Sequence, residues 1–236
     1  MRCFSLLLCP LLCFSSLQGI YFGNPLSPQL PRDGIVSSKE EFWQFRLGYI
    51  GDYLDSNDER LSSNLQLFSF GCALHRKVLL EFMGGSSSIH NTVKQEGVLK
   101  KLYATGPFCY GGRIQGILKK WGKFVLGASA SGLIGRAHCR YETVQGQAVA
   151  FPSDYLRWKT WQAGLGVARK NEKFVPYLGG NVSSFLTKTK SIKQKTEQHI
   201  GLIVGSSIVG FAAIVADVEA RFFAEQGVTL ACSVAF

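Results

Sequence analysis

The sequence predicts an all-β fold: one antiparallel, up-and-down transmembrane β-barrel of about ten strands, twelve at most. Three observations carry this. Apolar residues recur at every second position along successive stretches, the period of a strand and not of a helix. The connections between those stretches alternate between short and long. Finally, no uncharged apolar run reaches the ~20 residues of a spanning helix, although hydrophobic residues make up 46% of the 236. Charged residues are 18%, below the ~25% of an ordinary soluble domain. The aromatic and β-branched content excludes a disordered chain.

Residues 1–19 read as a secretory signal peptide. Arg2 precedes an apolar run from Phe4 to Phe14, and Ser15, Ser16 and Gly19 follow it. Export removes Cys3, Cys9 and Cys13 and leaves Cys72, Cys109, Cys139 and Cys232, whose spacings match no zinc or redox motif. Cys139, in a polar stretch, is the candidate for a disulfide to a partner; a set of unbridged thiols is the alternative. Residues 20–41 hold Pro25, Pro28 and Pro31 and are expected to form an extended, unpaired segment on the periplasmic side.

The barrel is expected over 42–236. In 42–54, Trp43, Phe45, Leu47, Tyr49 and Tyr53 alternate with Gln44, Arg46 and Asp52, one face apolar and the other polar. The pattern returns over 64–75, 78–88, 107–119, 123–136, 155–169, 174–186, 197–208, 211–224 and 227–236. Short connections fall at 75–77, 119–123, 169–174 and 208–211. Longer polar ones fall at 55–62, 89–105, 137–154 and 187–196, and such asymmetry is the plan of an outer-membrane barrel. Residues 97–104 and 143–151 are the further pair that would make twelve. The charge-free run 200–216 competes as a helix, but three glycines and seven Ile or Val residues favour two strands. Phe236 closes a half-apolar strand, in the manner of the terminal aromatic read by the barrel assembly machinery.

These residues resemble the chlamydial major outer membrane protein family of trimeric porins. The similarity lies in Gly23-Asn24-Pro25, Asp33-Gly34-Ile35, the run from Arg46 to Tyr53, Leu126-Gly127-Ala128-Ser129, Trp161-Gln162-Ala163, the run from Phe174 to Gly179, Gly201 to Ile208, Val218 to Arg221 and Phe236. The chain is shorter than the large porins of that family and lacks most of their cysteines. The resemblance implies a shortened member, located in the bacterial outer membrane, that passes ions and small solutes by passive diffusion and has a structural role in the envelope.

Charges on the lumen parity are Arg46, Asp52, Glu81, Arg113, Asp217, Glu219 and Arg221. They would set the field of a pore or, in a narrow barrel, hold the interior closed. A plugged structural barrel or surface adhesin therefore stays open beside the porin. Trp43, Trp121 and Phe236 are expected at one aromatic rim, and Tyr53, Tyr155 and Trp158 at the other. A basic outer loop of Lys188, Lys190, Lys193 and Lys195, with Arg136, Arg140, Arg157 and Lys159 near another, points to outer-membrane lipid, lipopolysaccharide or acidic host glycans as partners. A homo-oligomer is a further expectation. Nucleic acid is not one, because no recognition motif accompanies the charge. A barrel enzyme is the third class, but no spacing joins His90, His138 or His199 to an orienting partner. No catalysis, cofactor or metal is expected.

Deleting Phe236 should sharply reduce folded barrel in the outer membrane, measured as the heat-modifiable band in membrane fractions; an unchanged yield would reject the sorting role.

Overall fold

The computed structural model describes residues 21–30, 43–56, 61–74, 77–95, 98–144, 147–149, 155–171, 173–189, 193–195, 199–210, 214–223 and 226–235. Ten long strands form the wall: β1 (Trp43–Ser56), β2 (Leu61–Leu74), β3 (Val78–Gln95), β4 (Val98–Trp121), β5 (Phe124–Val144), β7 (Tyr155–Arg169), β8 (Phe174–Lys188), β10 (His199–Val209), β11 (Ile214–Phe223) and β12 (Gln226–Ala235). Two short ones, β6 (Gln147–Val149) and β9 (Lys193–Lys195), pair with the ends of β5 and β8. Every wall strand is antiparallel to its neighbours. The wall strands pair in chain order, β8 reaching β10 past the short β9, and the sheet closes where β12 pairs with β1. The fold is thus a closed ten-stranded antiparallel barrel. Closure gives every wall strand a hydrogen-bonded neighbour on both sides, the condition for a sheet in hydrocarbon.

The period of two sorts the side chains. On β1, Phe45, Leu47, Tyr49 and Tyr53 face outward, while Arg46, Ile50 and Asp52 are buried inside. The outer face of β4 carries Phe108, Tyr110, Ile114, Leu118 and Trp121, all exposed. From Phe108 to Trp121 is ~43 Å of extended strand, which at a tilt of ~45° covers ~30 Å, a hydrocarbon thickness. A soluble protein would have to cover such a belt. Cross-strand aromatic pairs consolidate it, with Tyr49 edge-on to Phe68 at 5.6 Å and Phe45 stacked near Phe70 at 5.8 Å.

One end of the barrel is made of short turns. Between β4 and β5 the turn is Gly122-Lys123, and Gly122 takes φ +56°, a conformation that suits glycine. At the other end β3, β4 and β5 run to 18, 24 and 21 residues, about twice the ~9–11 that cross a bilayer. Residues expected as loops at 89–105 and 137–154 largely continue these strands, because their alternation persists with polar side chains outward. Residues 98–104 continue β4 and do not form a separate strand; of the second expected extra strand, Thr143 and Val144 end β5 and Gln147–Val149 pair back with it. The run 200–216 resolves into β10 and β11, and among the described residues no helix is long and apolar enough to cross a membrane.

Two sequence expectations are corrected here. Residues 21–30 do not extend on the periplasmic side: they lie inside the barrel, with Tyr21, Phe22, Leu26 and Leu30 buried. Trp158 does not mark a rim: β7 turns it inward, where it stacks on Phe185 at 5.8 Å, and Trp161 faces outward in its place. The signal segment and Phe236 lie outside the described residues.

In bilayers of brominated phospholipid, a variant keeping Trp161 as its sole tryptophan should be strongly quenched, and one keeping only Trp158 should retain most of its emission.

Candidate functional site

The register gathers five of the seven lumen charges into two rows. Arg46 on β1, Gly71 on β2, Glu81 on β3 and Arg113 on β4 are successive cross-strand partners. Asp52 on β1, Thr229 on β12 and Glu219 on β11 form the second row. All seven charged residues expected in the lumen are there, and all are buried: Arg46, Asp52, Glu81, Arg113, Asp217, Glu219 and Arg221. They do not line an open bore, because they bond to one another and to residues 21–30.

Arg113 donates from Nε to Glu81 at 2.6 Å, and its Nη2 bonds the same carboxylate oxygen. Its Nη1 donates to the Tyr21 carbonyl at 3.2 Å, and the guanidinium lies 4.5 Å from the Tyr21 ring centre. Arg221 pairs with Asp52, and Thr229 bridges the two, accepting from Arg221 at 3.1 Å and donating to Asp52 at 2.6 Å. Glu219 accepts the backbone N–H groups of Phe22 and Gly23, each at 2.9 Å, and the Tyr177 hydroxyl at 2.8 Å. Asp217 accepts from the Ser207 hydroxyl. Arg46 donates to the Ser27 carbonyl.

The segment itself is short of charge and long on backbone donors and acceptors. Asn24 folds it: its Oδ1 accepts from Leu26 N–H at 2.9 Å, and Ser27 N–H reaches the Asn24 carbonyl at 2.8 Å. A 3₁₀ turn, Ser27–Gln29, follows, with Pro28 inside it, where a missing N–H costs nothing. The Asn24 amide donates to the Val175 carbonyl and to Ser207 Oγ, both at 2.9 Å, and Gln115 donates to the Asn24 carbonyl at 2.6 Å. Phe22 seats on Gly164, Gly166 and Gly179 of β7 and β8, where an added Cβ would come within 2.9–3.5 Å of its ring. Burial and the Asp217 carboxylate both raise the Tyr21 pKa well above its ordinary value, so this phenol stays protonated.

Above the segment, Leu67, Met83, Leu133, Leu156, Trp158 and Phe185 belong to an apolar cluster inside the barrel. Beside Tyr21, Arg46 and Arg113 the remaining space is ≈ 10 Å³, room for about one water molecule. A ten-strand interior is close to the size that side chains fill, and here a chain segment completes the filling.

Cys139 is corrected as a disulfide candidate. It sits on β5, inward-facing and buried, so no outside partner reaches it. Lys188 ends β8 exposed, Lys193 and Lys195 lie on β9, and Lys190 falls outside the described residues. Asn24, Gln115, Tyr177, Ser207 and Thr229 were missed by sequence reasoning. The last four stand on the lumen parity of their strands, so period-two reading could have found them; for Asn24 the Asn-Pro turn was the only signal.

No protein-family model matches the chain, and no curated protein matches it. Among solved structures it is similar to an outer membrane channel of Pseudomonas putida F1, with 10% identity and TM-score 0.46 over 82% of this chain and 95% of that one. The outer membrane protease OmpT of Escherichia coli gives 10% identity and TM-score 0.38 over 85% and 98%. Ail, the attachment invasion locus protein of Yersinia pestis, gives 10% and 0.34 over 84% and 100%.

Replacing Arg113 alone with Met should cost about 3–5 kcal/mol of unfolding free energy in urea, because Glu81 is then left buried and unpaired. Replacing Glu81 with Met as well should recover most of that loss. Arg113→Glu, which puts two carboxylates side by side, should be worse than Arg113→Met.

Proposed function

We propose that this chain is an outer-membrane barrel closed by its own N-terminal segment, with a structural role in the envelope. The observation that carries the reading is the set of hydrogen bonds by which residues 21–30 engage five wall strands: Arg46 on β1, Arg113 and Gln115 on β4, Val175 on β8, Ser207 on β10 and Glu219 on β11. A segment so tied holds the barrel together from within. Its charge-assisted bonds to Glu219 are of the stronger kind. The apolar outer belt supports placement in a membrane, and the short turns at one end, with long strands at the other, support the periplasmic and external sides respectively.

Porin-like diffusion of ions and small solutes is the second reading, supported by the resemblance to the chlamydial family and by the charged inner wall. In this barrel it requires residues 21–30 to leave the bore. Three arginines and four carboxylates would then face the lumen, a nearly balanced set of small selectivity.

Planar-bilayer recordings separate the two. The wild-type barrel should show little steady conductance at low voltage. Deletion of residues 21–30, or Glu219→Gln with Asn24→Ala, should produce open channels or frequent opening steps. Steady wild-type conductance equal to that of the deletion would reject the closed-barrel reading in favour of the porin.

A further inference from the structure

The outer face of β5, β7 and β8 carries an arrangement that barrel closure does not explain. Arg136, Arg157 and Lys188 are direct cross-strand partners in one row, all three exposed and outward. Like charges set opposite one another weaken a sheet. The three strands contain a single acidic residue, Glu142, six positions beyond Arg136 on β5. Further basic residues flank the row: Lys159 one step nearer the apolar belt, and His138 and Arg140 further out, all exposed. Arg136 is held in place, its guanidinium 3.7 Å from the Tyr155 ring centre, and Arg140 is held by Thr105 at 2.8 Å.

Immediately below the row lies an open groove of ≈ 450 Å³ lined by Gly132, Ile134, Lys159, Trp161, Ser184 and Leu186. Its shape comes from the register: Gly132 and Ser184 are the cross-strand partners of Trp161, so small residues flank the indole on both sides. The groove opens onto the apolar belt, and its upper edge is Lys159. From β5 to β8 the row spans ~10 Å, wide enough for more than one phosphate.

We propose that this face is a binding site for a phosphorylated, acylated glycolipid such as the lipid moiety of lipopolysaccharide. Its phosphates lie on Arg136, Arg157, Lys188 and Lys159, and an acyl chain lies along Trp161. Charge complementarity selects the occupant: a row of cations at the upper border of a lipid-facing wall has headgroups for neighbours, and the guanidinium fork matches phosphate oxygens. Ordinary zwitterionic lipid would bring as many cations as anions to the row. The site rests on the proposed membrane placement, with the long strands at the external side.

The test uses the folded mature barrel in phosphatidylcholine nanodiscs containing lipid A, with dephosphorylated lipid A and soluble polyphosphate as separate arms. Lipid retained per barrel is counted by native mass spectrometry. The wild type should retain lipid A and release it at least tenfold more readily when the phosphates are removed. Arg157→Gln with Lys188→Gln should weaken retention at least tenfold. Gly132→Val should weaken it through the groove alone, since a Cβ there meets only the Thr160 carbonyl at 3.6 Å and the wall need not shift. Equal retention by the basic-row variant would overturn the site. Full displacement by soluble polyphosphate, with Gly132→Val unaffected, would overturn the lipid as occupant and leave a simple polyanion surface. A wild-type chain that fails to enter the bilayer, seen by absent heat-modifiability, would overturn the membrane placement and this site with it.

Discussion

In a wall that faces hydrocarbon, each backbone N–H and C=O must find its partner on an adjacent strand, because neither lipid nor water supplies one there. Every other feature of this molecule follows from meeting that demand by closure. Ten strands pair in sequence, and the last pairs with the first. Closure fixes two faces, and the period of two then decides which residues meet lipid and which meet one another. Phe45, Leu47 and Tyr49 are outside because Arg46 and Ile50 are inside.

The inner face then carries a problem of its own. Three arginines and four carboxylates in a space this narrow lose most of their hydration, and such charges must be paired and hydrogen-bonded to be tolerated. Pairing accounts for part of it: Arg113 with Glu81, and Arg221 with Asp52. Glu219 and Arg46 need more, and residues 21–30 supply backbone N–H groups to the one and a carbonyl to the other. An uncharged segment suits that role, since any added charge would upset the pairing. Its Phe22 fills room left by glycines on β7 and β8, so polar and apolar fit coincide at the same place.

The outer face has the opposite imbalance. Its belt is apolar and needs only acyl chains, yet above Trp161 the same parity turns basic on three neighbouring strands. Interior charges are paired or hydrogen-bonded within the chain, whereas these are left to the surroundings. The division is physical: a charge inside the bore cannot await a ligand without a large desolvation cost, while one at the headgroup level stays hydrated until an anion arrives.

The sequence by itself determined the wall. Alternation located the strands, their number and their lipid-facing sides, and it assigned all seven inner charges, because a two-residue period leaves no freedom about which face a side chain takes. Tertiary structure alone decided what those charges bind. Glu219 and Phe22 lie 197 positions apart, and no local pattern records that a proline-rich lead segment returns into the bore. Nor does alternation say where a strand leaves the membrane, so β3 to β5 ran longer than their apolar stretches. At the wall's upper end polarity no longer distinguishes inside from outside, and Cys139 and Trp158, read as outward or loop residues, proved to be interior. Period gives the face only where lipid enforces it; elsewhere, packing across the barrel decides.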